Sequence, residues 1–372
     1  MSRTDTFGIV GGYGATGRIV ASELWKSCPG EILIGGRDVA KAKALAAEFD
    51  SRASAAHLDV LDAQSLDDFC SRCSVIINCA GPVMVLQDRV AQAAFRRQCH
   101  YIDPAGMTFV AERMRDKSKE IADLGLSFVV SAGWMPGISE VVSVYAHAQA
   151  IGQMDTVDSV AVYYGDSGKW SVNALRDAVW YIRQLGMRSS GYFHKGKWAR
   201  VSRSAALSTT NLGNPIGTRR FGMFFTPELN EIGGQLNDCD VLAYSYVSGF
   251  RAILASILIA LLPLPEGLGV GLLRNMFHRN RRLPVGGFVV AQAIGRSQAR
   301  RLAVTVQVVY EAGRDYWIHG LAMATAARMV AEGKGVQRGV HFLADAVDSK
   351  AFLTQLRAAG VEQTENFEQP RE

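Results

Sequence analysis

Glycines near the start of the chain have a spacing that can hold a dinucleotide. The stretch FGIVGGYGATG covers residues 7–17 and contains two overlapping glycine patterns. Gly12, Gly14 and Gly17 form G-x-G-x-x-G, in which a tight turn and the start of a helix approach a pyrophosphate closely. Gly11, Gly14 and Gly17 form G-x-x-G-x-x-G, so the rest of the chain has to decide between the two spacings.

The second spacing is typical of short-chain reductases, and these enzymes need a catalytic tyrosine with a lysine four residues later. The lysine lowers the tyrosine pKa for proton transfer. None of the 11 tyrosines has a lysine at that distance. The sequence therefore favours the G-x-G-x-x-G pattern, and Gly11 is interpreted as a strand-end residue. The predicted phosphate-binding turn consists of Gly12, Tyr13, Gly14, Ala15, Thr16 and Gly17.

The end of the second predicted strand, LIGGRD, indicates which dinucleotide binds. NAD sites usually have an acidic residue there, which binds the ribose 2′-hydroxyl. Arg37 stands at this position and Lys41 follows one helical turn later, and two cations suit a 2′-phosphate. The adjacent Asp38 leaves the NAD alternative open. The pattern favours NADP(H) as the cofactor.

Two further strand ends complete the predicted cofactor site. Asp59, in LDVLD, can reach the adenine amino group, and either Asp59 or Asp62 can instead cap the next helix. In INCAGP, Ala80 and Gly81 leave room for the cofactor's ribose and ring, and Pro82 ends the strand. Ligands of doubly wound sheets bind beyond the carboxyl ends of the strands, so all these residues are predicted to meet there.

The elements that must position these residues alternate along the first 130 residues. Short apolar runs such as 31–37 and 74–81 alternate with helical runs such as 15–27 and 38–49, which predicts a doubly wound parallel sheet. After Pro136, longer β-like segments predict antiparallel pairing, and FHKGKW predicts a hairpin tip. These segments are 155–165, 191–202 and 301–311. Helical patterns at 320–335 and 341–361 precede a tail that we expect to be frayed.

Composition excludes several other functions. The net charge of +5 is small for 372 residues, and the basic runs at 277–284 and 295–301 are short, which argues against nucleic-acid binding. Cys70 and Cys73 form a C-x-x-C without a second half, so no metal site is predicted. No signal peptide is recognised, and we expect a cytoplasmic protein.

The longest apolar run, AILASILIALLPLP at 252–265, is too short to cross a bilayer. It predicts a buried helix. Weak attachment of 252–273 to a membrane surface and a pocket for an apolar substrate remain alternatives.

The motifs GGYGATGRIVASEL, GGRDVAKAKALA, INCAGP, CHYIDPAGM and SAGWMPGISE occur in the order seen in the saccharopine dehydrogenase-like reductases. The chain resembles that family over about residues 1–140, and GLAMATAARMVAEG is similar to the family's returning C-terminal segment. The resemblance implies an α/β protein with a Rossmann domain and a substrate or dimerisation domain. We place a Rossmann domain at 1–136, an α+β domain at 137–315, and helices returning to the first domain at 316–372.

The resemblance also implies reduction with a pyridine nucleotide. Known members reduce an imine to a secondary amine, whereas others resemble enoyl or keto reductases that act on lipids. GWMPG at 133–137 is closer to the amine-forming branch. We therefore expect an NADP(H)-dependent imine reductase that acts as a homodimer on a small molecule of amino-acid or secondary metabolism. An enoyl or keto reductase for an apolar substrate and a sensor that binds NADP(H) without turnover are the alternatives.

Candidate catalytic residues are Asp103 and His319. Asp103 can stabilise an iminium charge or form the turn before Pro104, and His319 can relay a proton or pack in the core. Trp134 can form an aromatic wall or pack in the core. Lys169 and Arg176 can bind a substrate carboxylate or remain surface charges. The candidate substrate-binding residues are Trp134, Met135, Pro136, Gly137, Tyr164, Lys169 and Arg176.

Overall fold

The computed structural model describes residues 5–167, 170–185, 191–201, 206–246, 250–278, 283–298 and 300–368. The chain divides into two compact units. The first unit contains the chain up to Ile138 and the later segment Tyr316–Leu356. The second unit contains Ser139–Asp315 and the residues from Arg357 onward.

The first unit is a parallel sheet with helices in its crossover connections. Its strands are β1 (Thr6–Val10), β2 (Glu31–Gly36), β3 (Ala53–His57), β4 (Val75–Asn78), β5 (His100–Ile102), β6 (Ser127–Val130) and β15 (Gly339–Phe342). Its helices are α1 (Ala15–Ser27), α2 (Val39–Ala46), α3 (Ala63–Cys70), α4 (Val83–Leu86), α5 (Arg89–Arg96), α6 (Met107–Met114), α7 (Ser118–Asp123), α13 (Asp315–Glu332), α14 (Leu343–Ala346) and α15 (Ser349–Ala358), with a 3-10 turn at Arg115–Lys117.

The strand order of this sheet identifies where a ligand binds. The order among the described residues is β3-β2-β1-β4-β5-β6-β15, and every neighbouring pair is parallel. The chain reverses its direction of winding between β1 and β4, and the crevice beyond the carboxyl ends of such strands is the usual nucleotide site. The strands form there because their apolar runs are buried on both faces, as in the fully buried VIIN of β4.

The second unit is built on a mixed sheet. Its strands are β7 (Thr156–Asp166), β8 (Gly191–His194), β9 (Lys197–Arg200), β10 (Leu207–Asn211), β11 (Thr218–Met223), β12 (Asp240–Tyr246), β13 (Gly287–Ser297), β14 (Arg300–Tyr310) and β16 (Glu362–Glu368). Its helices are α8 (Ile138–Ile151), α9 (Val172–Leu185), α10 (Pro227–Gln235), α11 (Phe250–Leu261) and α12 (Glu266–His278).

Most strand pairs of the mixed sheet are antiparallel. The order is β10-β11-β12-β7-β13-β14-β16, with the β8–β9 hairpin joined to β12, and β12 runs parallel to β7. The hairpin turns at Lys195 and Gly196, both with positive φ, where FHKGKW predicts a tip. The α/β fold class, with a Rossmann-type sheet followed by a second mixed domain, is thus confirmed.

The C-terminal segment differs from its predicted course. Only its part up to Leu356 belongs to the first unit, and residues 362–368 form β16, which pairs antiparallel with β14. The expected frayed tail is therefore wrong for those residues. The polar side chains of this segment predicted a tail. An edge strand pairs through its backbone N–H and C=O groups, however, and the sequence of side chains does not indicate that pairing.

The apolar run at 252–265 also differs from its prediction. It forms most of α11, but four of its large apolar side chains are exposed rather than buried. These are Leu254, Ile257, Leu261 and Leu262. Among the described residues, no helix has both the length and the apolar character needed to cross a membrane.

Candidate functional site

The turn between β1 and α1 has the features of a phosphate-binding site. Helix α1 begins after Gly14, no side chain caps its N-terminus, and its first turn contains no acidic residue. The amide groups and the positive end of the helix dipole are therefore available to an anion. The predicted residues Ala15 and Thr16 lie in this first turn, partly or fully exposed.

Glycine is required at the turn for reasons of space. A Cβ on Gly17 would lie 2.5 Å from Gly11 O and 2.7 Å from Gly12 Cα, so α1 could not pack this closely on the turn. A Cβ on Gly12 would lie 2.8 Å from Ile34 Cγ2. A Cβ on Gly14 would meet only Gly11 O, at 3.0 Å, which leaves its other side open to a ligand. The cradle therefore fits a pyrophosphate.

Gly11 has a larger role than the sequence indicates. Its φ is +72°, and a Cβ there would lie 3.1 Å from Ala80 Cα. Its amide and that of Gly12 both donate to Gly35 O, at 3.0 Å. Gly11 does follow the last residue of β1, as predicted, but a glycine there is not incidental, because a left-handed backbone beside Ala80 admits only glycine without strain. The signal was present in the overlapping second pattern.

The carboxyl end of β2 has a cation available for a 2′-phosphate. Arg37 is exposed and has no hydrogen-bond or ion-pair partner within the described part of the chain. Asp38 instead caps α2, where Oδ1 accepts from the Lys41 amide at 3.1 Å and Oδ2 lies 3.2 Å from Lys41 Nζ. The Lys41 backbone amide lowers the pKa of Asp38. Asp38 is thus engaged with its own helix, and Arg37 remains free.

Tyr13 connects the phosphate-binding turn to the end of β2. Its hydroxyl oxygen accepts from the Asp38 amide at 3.1 Å. Its ring covers Gly36 so closely that a Cβ there would lie 2.3 Å from Tyr13 Cε1. The ring therefore lies beside Arg37, at the edge where the adenosine half of a dinucleotide binds in this fold.

The remaining cofactor candidates lie at the ends of β3 and β4. Asp59 Oδ1 accepts from the Leu61 amide at 2.9 Å, whereas Asp62 caps α3. Of the two capping alternatives, the structure therefore assigns the helix cap to Asp62. Ala80 and Gly81 precede Pro82, the N-cap residue of α4, and Gly81 is exposed.

Asp103 joins two loops of the site. Its Oδ1 accepts backbone hydrogen bonds from Ala105, Gly106 and Ser131, at 3.0 Å from Ala105 and 3.2 Å from Ser131. Burial raises the pKa of Asp103 to about 6, against the opposing effect of these hydrogen bonds. The side chain is almost fully buried, so in this structure it positions the loops after β5 and β6. The turn-forming alternative therefore describes its contacts.

Of the two candidate catalytic residues, His319 is the one that is partly exposed. It lies at the start of α13, is partly exposed, and its Nδ1 accepts from the Trp134 amide at 3.3 Å. Because Nδ1 accepts, the proton of the neutral ring is on Nε2. Burial lowers the pKa of His319 to about 4. The ring is therefore neutral near pH 7.

In the GWMPG loop, every residue except Met135 is buried. Trp134 is fully buried, as its core-packing alternative predicts. Pro136 and Gly137 are also buried, and Met135 is partly exposed. Gly137 has φ +128°, and a Cβ there would lie 2.3 Å from Gly133 O. The loop therefore requires glycine at this position.

The substrate candidates of the second unit have other contacts. Tyr164 is buried in the sheet, and its hydroxyl donates to Phe224 O at 2.5 Å. Arg176 forms an ion pair with Glu266. Both differ from the predicted substrate-facing loop, since β7 extends to Asp166 and α9 begins at Val172. Lys169 lies outside the described residues.

Comparison with known proteins agrees with this geometry. Residues 7–129 match the family model described as the saccharopine dehydrogenase NADP binding domain. The match covers most of the N-terminal domain. The predicted resemblance to saccharopine dehydrogenase-like oxidoreductases is confirmed, and so is NADP(H) as the cofactor.

Two individual proteins are similar to this chain. The apo structure of histidine-tagged saccharopine dehydrogenase (L-Glu forming) from Saccharomyces cerevisiae has a TM-score of 0.67 at 15% identity, over 98% of this chain and 100% of that chain. At this identity the likeness concerns the fold alone. The "Lipid droplet localized protein" of Caenorhabditis elegans is 28% identical over 145 residues, which is 36% of this chain and 34% of the relative. The match thus spans about a third of that relative's length.

Proposed function

We propose that this oxidoreductase transfers a hydride from NADPH to a C=N bond of a small molecule in amino-acid or secondary metabolism. The G-x-G-x-x-G turn would hold the pyrophosphate, Arg37 and Lys41 the 2′-phosphate, and Asp59 the adenine. Residues Ala80–Pro82 would lie beside the nicotinamide. NADPH supplies the hydride when it is bound, and the remaining chemistry falls to the protein's own groups.

The neutral state of His319 supports a C=N substrate. With a pKa of about 4, the ring can donate a hydrogen bond from Nε2 near pH 7 but is a weak proton donor. Asp103 is buried and engaged with backbone amides. An iminium ion is already protonated, so its reduction needs positioning and charge stabilisation rather than a strong acid. In this proposal His319 orients a substrate oxygen, and Asp103 positions the loops while its charge favours the cation.

The test measures NADPH oxidation by the purified chain against amine-plus-carbonyl pairs and against enoyl and keto substrates. We expect turnover with the amine-plus-carbonyl pairs. His319→Ala should lower kcat/KM by about 10- to 100-fold, because a hydrogen bond that orients the substrate is lost. His319→Gln, which keeps a donor and an acceptor, should recover part of the loss. Turnover confined to enoyl or keto substrates would refute the imine proposal, and tight NADPH binding without any turnover would favour the sensor.

A second candidate is a reductase for enoyl or keto groups on apolar molecules. The observation that favours it is an exposed apolar face on the α11–α12 segment, formed by Leu254, Ile257, Leu261, Leu262 and Leu268. Faces of this kind bind lipid surfaces or partners. The name of the C. elegans relative, a lipid droplet localized protein, supports the same choice. In this candidate the apolar face rests weakly on a lipid surface that contains the substrate.

The lipid candidate has its own readout. Leu261 and Leu268 are 64% and 60% exposed, so Leu261→Asp with Leu268→Asp should leave the fold intact. The double variant should lose co-sedimentation with phospholipid vesicles and keep NADPH binding. Unchanged co-sedimentation would exclude this face as the lipid-binding surface.

We further propose a homodimer in the cytoplasm, with the second unit at the dimer interface. Sedimentation velocity would test the dimer, and cell fractionation would test the location.

A further inference from the structure

A cluster of three side chains in the second unit has the composition of a metal site. It consists of His147 on α8 and the adjacent residues Asp238 and Cys239, which precede β12. One potential ligand atom from each residue lies within 4.8 Å of the other two. Nothing in the proposed reduction uses these residues.

The histidine of this cluster is buried and directed at the other two residues. The His147 side chain is 9% exposed, and Nε2 has no hydrogen-bond partner in the described part of the chain. The same atom lies 3.3 Å from Asp238 Oδ1. A buried polar atom without a hydrogen bond is costly, and a bound ion or water is one of the groups that can satisfy it. A bound cation would satisfy it.

The donor set selects the kind of cation. A thiolate sulfur, an imidazole nitrogen and a carboxylate oxygen are ligands of zinc, whereas magnesium and calcium take oxygen. Cys239 as thiolate and Asp238 as carboxylate would neutralise a divalent charge, with His147 neutral. Asp238 is 53% exposed, which leaves access for the ion and for a water ligand. The neighbouring Asp240 is engaged with His194, at 2.8 Å.

We propose that His147, Asp238 and Cys239 bind one zinc ion, with water as the fourth ligand. The zinc–sulfur bond forms as the thiol proton leaves to solvent, so binding releases one proton and strengthens as the pH rises. The ion would tie α8 to the start of β12. Both elements belong to the second unit.

The test uses the full chain after treatment with a chelator, titrated with Co²⁺ and then with Zn²⁺. We expect one Co²⁺ per chain, with thiolate-to-cobalt charge-transfer absorption that Zn²⁺ abolishes. Zn²⁺ should also raise the Tm of the wild-type chain. His147→Gln and Asp238→Asn should each weaken binding at least about tenfold, and Cys239→Ser should remove the charge-transfer band.

Two variants serve as controls. Asp158→Asn removes a similarly exposed carboxylate of the same unit, and Cys28→Ser removes a buried thiol of the first unit. Both should bind Co²⁺ like the wild type. Because Asp238 is exposed, Asp238→Asn tests the site even if the Cys239 variant fails to fold. Absence of saturable binding by the wild type, binding unchanged in Asp238→Asn, or a band that survives Cys239→Ser would overturn the proposal.

Discussion

At the scale of single residues, the choice of cofactor depends on which charge is left free at the end of β2. Asp38 and Arg37 are neighbours, and the sequence cannot tell which one faces the ribose. The structure commits Asp38 to the N-terminus of α2, through the amide and the ammonium group of Lys41. Arg37 remains exposed and unpaired among the described residues, so the local charge favours a phosphate.

Charge reversal at Arg37 should separate the two dinucleotides. Arg37→Asp is expected to raise the Kd for NADPH by about 10- to 100-fold, because a charge-assisted hydrogen bond to the 2′-phosphate is lost. The Kd for NADH should change by less than about threefold, since NADH has no charge there. Fluorescence titration measures both. Lys43→Asp, the same charge change at an exposed position on α2, should affect neither, and equal losses for both dinucleotides at Arg37 would refute the assignment.

At the scale of elements, the cofactor site depends on how closely α1 packs on the turn that precedes it. Gly17 makes that contact, and Gly11 supplies the left-handed residue that directs the chain past β4. The same turn is joined to β2 through Gly35 O. The phosphate-binding amides are therefore positioned by three elements at once.

Alanine at Gly17 should displace this packing. Its Cβ would overlap Gly11 O and Gly12, so Gly17→Ala should lower the free energy of unfolding by about 1–3 kcal/mol and weaken NADPH binding. Gly271 in α12 is the matched control, because a Cβ there meets no atom within 4 Å. Gly271→Ala should raise the free energy of unfolding by about 0.5–1 kcal/mol. Urea unfolding measures both, and the same sign for both variants would contradict the packing argument.

At the scale of the whole molecule, each compact unit is built from two separate parts of the chain. The first unit takes β15 from residues 339–342, and the second takes β16 from residues 362–368. The division falls near Leu356, inside α15. The final strand therefore supports the sheet of the second unit and contributes nothing to the sheet that holds the cofactor.

Removal of β16 tests that division. A chain that ends at Val361 should unfold at a lower temperature, because β14 loses its antiparallel partner. Its Kd for NADPH should stay within about twofold of the wild-type value, because no residue of the cofactor site pairs with β16. Calorimetry and NADPH titration provide the two readouts. Lost NADPH binding in a folded truncated chain would show that β16 supports the first unit.

Much of the first domain could be predicted from its sequence, whereas in the second unit only some strands could, namely those in the predicted segments 155–165, 191–202 and 301–311. The predicted helix at 15–27 coincides with α1, and the early apolar runs coincide closely with β1–β6. Buried parallel strands are short apolar runs between helices, so the local sequence pattern is enough to predict them. In the second unit, β10 and β11 are short and half exposed, and their pairing depends on distant partners. Their sequences therefore resemble those of loops.

The sequence by itself predicted the Rossmann domain and the resemblance to its family, and it favoured NADP(H) while Asp38 left NAD open. The domain follows from glycine spacing and apolar periodicity, the cofactor preference from Arg37 and Lys41, and the family from a resemblance of short motifs, all of which lie between residues close together in the chain. Only the tertiary structure decided that Gly11 needs a left-handed backbone, that Trp134 and Tyr164 are buried, and that Arg176 pairs with Glu266. The same holds for the contact between His147 and Asp238, since residues far apart in sequence meet only when the core has formed.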